Sequence, residues 1–514
     1  MATKKDIVLM SVPLLQLDSA ITGPYALKSV LQSEGFSCKV YDFNTYLWYE
    51  IGDRAPELWD PNGTVFGIQE ELDTYLHIIH PVIEQYVREI MENDNPDWIG
   101  ITQFAWTSGN ISKLIIAEFK NQGFIGKTVL GGPNCMEYNP DHHMWNVGDH
   151  IIYGEAEISL VELLKGNTTY PGIDNKNFLQ LQKLDDFPYP DYSDVQWDHY
   201  NTTGSNYGED AWRNPNRLLN NLYVTFSRGC VRQCTFCDIH AMAPKFKFRA
   251  GQRVADEIVH HHKTYPHIKK INFTDSLING SVSQFEKFLD TIIEYKENGS
   301  LPNDLIFWGQ AIARPANQHP ESHFEKMKKA GISSLSVGIE SGSEAVRDHM
   351  KKKFSNADLD YTIEMFEKYN LSLSALMIVG YPTETEKDFQ DTLDLFTRHK
   401  DKSCIGNVAI GPTMVILPNA HIAPMVPELG IHGDVNGDWV LDENTLEVRI
   451  ERWLRLREHL LELNYRVSPD RHSKQIQEYR DKLIEIRQGK RDPNQRSYIE
   501  EWGYDNILSK KDEQ

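Results

Sequence analysis

Residues 227–240 read SRGCVRQCTFCDIH. Cys230, Cys234 and Cys237 stand at C-x3-C-x2-C, so half of the chain's six cysteines fall within eight residues. Such crowding indicates a metal or cluster site in a reducing compartment rather than a disulfide framework. Three thiolates on one short loop can ligate three irons of a [4Fe–4S] cube and leave the fourth iron open to another ligand. A tetrahedral zinc site is the other chemistry this spacing allows, with His240 completing a Cys3His set. Cys38, Cys135 and Cys404 are isolated and read as buried hydrophobes.

The loop follows a β-rich run at 223–226. Five more such runs lie at 270–274, 305–309, 334–338, 372–380 and 407–415, and helical periods trail all but the last. Six βα units are too few to close an eight-stranded barrel, which predicts a partial (β/α)6 barrel over 218–430. Beyond it, 431–514 is predicted to be helical packing cover, with an amphipathic helix at 443–464 and another near 473–487.

At this point the sequence resembles the radical S-adenosylmethionine (SAM) superfamily, whose motif is this cysteine spacing with an aromatic, here Phe236, before the last Cys. The resemblance covers roughly 221–419. Residues 272–276 (NFTDS) are similar to the family's second-strand segment, 329–343 (KAGISSLSVGIESGS) to its fourth-strand segment, and 380–385 (GYPTET) to its fifth-strand turn. The resemblance implies that SAM chelates the open iron and that the reduced cluster cleaves it to methionine and a 5′-deoxyadenosyl radical, which abstracts hydrogen from an unactivated carbon. Phe236, Asp275, Glu340, Gly342 and Gly380 become candidate SAM contacts. Glu340 offers an acceptor for ribose hydroxyls or the amino group, and the two glycines allow close backbone approach. A surface salt bridge for Glu340 and a helix cap for Asp275 are the structural alternatives.

Residues 1–167 alternate strands and helices as a doubly wound, Rossmann-like parallel sheet does, with strands at 6–12, 37–43, 98–103, 127–131 and 150–153. Ligands of such sheets bind outside the carboxyl ends of the strands, here 13–23, 104–110 (FAWTSGN), 131–134 (GGPN) and 154–157 (GEAE). A domain of this size before the barrel resembles the cobalamin-binding domain of class B radical SAM methyltransferases, through Gly23-Pro24, PDWIGIT at 96–102, VLGGP at 129–133 and YGEAE at 153–157. The D-x-H-x-x-G signature is absent. The resemblance makes Trp106, Thr107, Ser108, Gly131, Gly132, Gly154 and Glu155 candidate cobalamin contacts. It implies methyl transfer as the leading reaction, with cyclisation, rearrangement or thioether formation as the alternative. A non-catalytic, metal-stabilised interaction protein is the reading from another class.

Residues 168–217, broken by Pro171, Pro188, Pro190, Gly204 and Gly208, are predicted to be a linker. A formal charge of −21 opposes binding to a polyanion, so nucleic acid is not the expected partner. Against that acidity, Arg228, Arg232, Lys245, Lys247, Arg249 and Arg253 form a basic cluster around the cysteine loop. It is a solvated loop, a set of charges that balances an anionic cluster, or the docking rim for an acidic flavodoxin or ferredoxin. No apolar run reaches the ~18 residues of a membrane span, and no secretory signal is visible, so a cytoplasmic location is expected. The substrate, a small molecule or a peptide, is not specified by any motif.

Overall fold

Residues 7–11 (IVLMS) are buried at every position, as in a strand covered on both faces of a parallel sheet. The computed structural model describes residues 4–13, 15, 17, 19–60, 63–137, 148–201, 221–433, 437–468 and 474–490. The chain divides into two compact units, one running to Val224 with 267–269, the other formed by the remainder.

In the first unit β1 (Ile7–Ser11), β2 (Cys38–Asp42), β3 (Trp98–Thr102), β4 (Lys127–Gly131) and β5 (His150–Ile151) form a parallel sheet in the order β2-β1-β3-β4-β5. The order reverses between β1 and β3, the switch point of a doubly wound sheet. Helices Thr22–Ser33, Gln69–Asn93, Ser108–Asn121 and Ala156–Leu164 connect or follow its strands. A fifth, Phe43–Ile51, was not predicted. It begins where the Asp42 side chain accepts from the amides of Asn44 and Thr45, so the strand expected to reach Phe43 stops at a helix cap.

The described part of the predicted linker folds onto this unit. Lys28, 2% exposed, places Nζ 2.6 Å from Asp194 and 3.1 Å from Asp191. The Tyr192 hydroxyl donates to the Tyr223 carbonyl at 2.9 Å. Residues 202–217, with Gly204 and Gly208, lie outside the described residues, as does the tail beyond 490.

Further along are β6 (Asn221–Val224), β7 (Ser227–Arg228), β8 (Lys247–Phe248), β9 (Lys270–Phe273), β10 (Ile306–Ala311), β11 (Ile332–Glu340), β12 (Ser372–Val379), β13 (Ile405–Thr413) and β14 (Val467–Ser468). β7 and β8 pair antiparallel. The others form a seven-stranded sheet in the order β14-β13-β12-β11-β10-β9-β6, parallel at each pair from β9 to β14. Crossover helices Gly251–Thr264, Val282–Glu297, Glu321–Ala330, Asn356–Lys368 and Glu386–Arg398 separate successive strands. Helix Leu446–Glu462 is the sixth crossover and leads into β14. The predicted helical cover therefore also supplies a seventh strand, too short at two residues to show a period. Among the described residues no helix is long and apolar enough to cross a membrane.

Candidate active site at the cysteine loop

The loop is fixed at its base and at its centre. Asp275, 2% exposed, accepts from the Phe226 amide at 2.9 Å and the Ser227 hydroxyl at 2.5 Å. Gly229 has φ +78°, and a Cβ there would lie 2.9 Å from the Lys245 carbonyl, so this turn requires glycine. In the middle, the Thr235 amide donates to the Met350 carbonyl at 3.1 Å and its hydroxyl pairs with the Tyr381 hydroxyl at 2.8 Å. The Ile422 amide donates to the Thr235 carbonyl at 2.9 Å.

All three cysteines are free; Cys234 is buried, Cys230 and Cys237 half-buried. Burial raises the Cys237 thiol to about 11 and pushes Cys234 upward, with Lys352 acting the other way on Cys234. The Arg232 amide donates to Cys230 Sγ at 3.4 Å. Among the described residues no three His, Cys, Asp or Glu side chains converge on one ion, and the His240 ring lies 4.9 Å from that of His421. Three thiols on one anchored loop suit a cube that takes one iron from each, with the cations Lys352 and Arg232 nearby to balance its charge.

Glu340 ends β11 with φ +67°, just past a register shift between Gly338 and Glu340. Its Oε1 accepts from Lys352 Nζ at 2.9 Å, and the two side chains are 10% and 8% exposed. Burial opposes the Lys352 charge, yet Glu340 and then Cys234 hold the ammonium above its ordinary value. The ammonium also stands 5.9 Å from the centre of the Phe236 ring. A Cβ on Gly338 would meet Glu340 Oε1 at 2.3 Å and Lys352 Nζ at 2.8 Å. The sequence marked Glu340 and Phe236 as candidates and did not mark Thr235, nor Lys352 and Gly338, which the structure places against Glu340.

The other candidates in this unit are occupied by the protein itself. Both Asp275 oxygens are engaged by the loop, which makes it a positioning residue. Gly342 was expected to admit a cofactor, yet its Cβ would meet the Asp391 carbonyl at 2.4 Å, so the residue is small in order to pack on helix Glu386–Arg398. Gly380, φ +84°, likewise faces Arg449, whose Cδ would be 2.3 Å from a Cβ. The GYPTET turn closes on itself as the Gly380 amide donates to Glu384 Oε2 at 3.0 Å. Asn444 Nδ2 donates to the Tyr381 carbonyl at 2.9 Å, and Arg452 Nη1 donates to the Glu384 carbonyl at 3.0 Å.

In the first unit the candidates gather at the carboxyl edge of the sheet. The half-buried Trp106 ring covers Gly67, where a Cβ would lie 1.7 Å from the indole. Thr107 and Ser108 are buried, and the Ser108 hydroxyl accepts from the Ala105 amide at 3.3 Å. Gly132, φ +110°, is pressed against the Gln103 carbonyl. A Cβ on Gly131 would make only ordinary contact, with Ile152 at 3.9 Å. Gly154, φ +75°, packs on Phe178, and Glu155 Oε2 accepts from the Leu181 amide at 2.5 Å, so protein accounts for both.

Residues 224–396 match the Radical SAM superfamily. An uncharacterised methyltransferase of Pyrococcus horikoshii is 24% identical over 326 residues, covering 60% of this chain and 65% of that protein. A tRNA-2-methylthio-N(6)-dimethylallyladenosine synthase of Hydrogenobaculum is 28% identical over 190 residues, 34% of this chain and 39% of that one. The chain thus spans less than two thirds of either relative. Among solved structures, the cobalamin-dependent SAM radical enzyme OxsB superposes with a TM-score of 0.62 over 98% of this chain and 78% of its own, at 15% identity. The radical SAM methyltransferase TsrM from Kitasatospora setae, with cobalamin and a [4Fe–4S] cluster bound, gives 0.59 over 85% and 77%, at 14%. Residues 224–396 thus match a radical SAM domain, and the chain shares the fold of OxsB and TsrM.

Proposed function

We propose that this chain is a cobalamin-dependent radical SAM methyltransferase acting on an unactivated carbon. The observation that carries the reading is the anchored cysteine loop beside the buried Glu340–Lys352 pair. Cys230, Cys234 and Cys237 would hold the cluster, and Glu340 would receive the amino or ribose groups of SAM, oriented by Lys352. When bound, cluster and SAM supply one-electron cleavage of a sulfonium, and cobalamin a transferable methyl. The protein contributes position and dryness: Asp275 and Thr235 hold the loop, and Phe236 packs with the buried group around Tyr381 and Met414. Cobalamin would be received by the 104–110 loop and Gly131, where a side chain would make only ordinary contact. Six free cysteines suit the cytoplasm.

Anaerobic reconstitution with SAM, reductant and hydroxocobalamin tests the reading. 5′-Deoxyadenosine and S-adenosylhomocysteine should both form, and replacing the three cysteines by Ala should abolish the first. 5′-Deoxyadenosine alone would point to another radical outcome.

The electron donor is proposed to be an acidic flavodoxin or ferredoxin. Of the six basic residues, Arg249 is withdrawn from any rim, since its guanidinium is 2.6 Å from buried Glu257; Lys245 is exposed. Charge reversal at Lys245 and Lys247 should slow reduction by the protein donor, but not by dithionite, in a manner that weakens with salt. Equal slowing with both reductants would remove the docking role.

A further inference from the structure

One face of the second unit's sheet is closed by helices. Phe273 on β9 and Phe307 on β10 pack on Phe288, with ring centroids 5.6 and 5.7 Å apart, and Leu373, Ala375 and Met377 on β12 are buried. The pleat turns the alternate residues to the opposite face, into the barrel. Strand register sets these in rows. Asn272 stands beside Trp308, and a step further along the strands Gln310 stands beside Ser336, Ser336 beside Ser374, and Ser374 beside Asn407.

A filled barrel interior carries bulky branched side chains. These rows carry hydroxyls, amides and one indole, and none of them ionises. Trp308, Gln310, Ser374 and Asn407 are half-buried, so the wall is open to a ligand. Charge begins further along β11, where the space beside Gly338 holds Glu340 Oε1 and Lys352 Nζ. Part of the wall is already paired, as Asn407 Nδ2 donates to the Ser374 hydroxyl at 3.3 Å and the Ser468 hydroxyl to Asn407 Oδ1 at 3.1 Å. Asn272 is not: it is 3% exposed, and its Oδ1 accepts no hydrogen bond. A buried amide oxygen of this kind is costly until something donates to it.

We propose that this wall binds the substrate, and that the substrate is a neutral, polar small molecule whose hydroxyl or amide N–H donates to Asn272 Oδ1. The inference rests on the radical SAM reading of the cysteine loop. An ionised substrate would meet no counter-charge along these rows, and a purely apolar one would strip water from Ser, Asn and Gln without replacing its hydrogen bonds. Towards the loop, the same face of β12 turns apolar at Leu376 and Ile378, and Ile378 packs against the buried group that also receives Phe236. The polar part of the substrate would lie on the rows and its reacting carbon beside this apolar end.

The test is ligand-observed NMR on the full-length reconstituted protein with two matched sets of probes. One is N-acetylglucosamine, glucosamine and glucuronate; the other is benzamide, benzylamine and benzoate. Saturation transfer should favour the neutral member of each set. It should fall roughly fivefold in Asn272→Ala, the effect of one lost hydrogen bond, and vanish in Ser374→Leu, which fills the wall. Asn272→Ala makes no clash and covers the case in which Ser374→Leu fails to fold. Preferential loss of the charged probes' signals in the variants, or signals that neither variant changes, would overturn the inference. The radical SAM reading fails separately, by absence of 5′-deoxyadenosine from the unaltered protein.

Discussion

Glu340 holds a left-handed backbone that a residue with a Cβ adopts at a cost of about 1–3 kcal/mol. The surroundings that retain it are Lys352, which takes its carboxylate, and Gly338, which leaves room for both. Gly338→Ala should therefore mimic Glu340→Gln, each weakening SAM binding about tenfold while the iron content stays the same. Equilibrium dialysis with SAM checks this, and unchanged affinity in both variants would remove the pair from the SAM site. Glu384 gives a pH signature. Burial raises it to about 7 despite Arg452 and the Gly380 amide, whereas an unfolded Glu titrates near ~4.3. Between these values the folded chain keeps a proton the unfolded chain has lost, so the contribution is full below the unfolded value and disappears as pH rises through 7. Glu384→Gln keeps an acceptor without the charge. The difference in Tm should shift in the variant's favour between about pH 6 and pH 8. At this scale the sequence marks the cysteines as candidates by their spacing and Glu340 by its place in a segment that resembles the family's. Lys352 could not be singled out, since it sits between Lys351 and Lys353 and only the fold decides which of the three is buried.

Helix Leu446–Glu462 places Arg449 and Arg452 against the GYPTET turn, and Arg449 is wholly buried. Its guanidinium lies 3.7 Å from the centre of the Trp439 ring and donates to the Asn444 and Trp439 carbonyls at 2.8 Å each. Arg452→Ala would leave the carboxylate of Glu384, 2% exposed, without its cation. Urea denaturation near pH 8 should show a loss of about 3 kcal/mol, and adding Glu384→Gln should recover a large part of it. An additive double variant would deny the coupling. Elements with a clear period were legible: β4 was predicted at its observed bounds, and the strands β9 to β13 to within two residues. Two kinds of element escaped. Helix Phe43–Ile51 runs straight out of a strand through one capping Asp, and β14 is recognised only by the partner it pairs with.

At the scale of the molecule, the turn-rich stretch after the first sheet proved to be held in place, with Lys28 between Asp191 and Asp194 as its pin. Lys28→Met should leave those two carboxylates without their cation and expose the 168–201 stretch to limited proteolysis, while the core of the second unit resists. Equal cleavage of both proteins would show that Tyr192 and its neighbours suffice. The composition that suggested a linker could not reveal this, because Pro and Gly mark where a chain turns and not whether it is tethered. β14 has a temporal consequence. It enters the sheet about 230 residues after Cys237, so a ribosome adding roughly 5–20 residues per second needs on the order of 10–50 s to deliver it. For that interval the nascent chain displays its thiols on an unfinished barrel, open to oxidation and equally open to whatever delivers iron and sulfide.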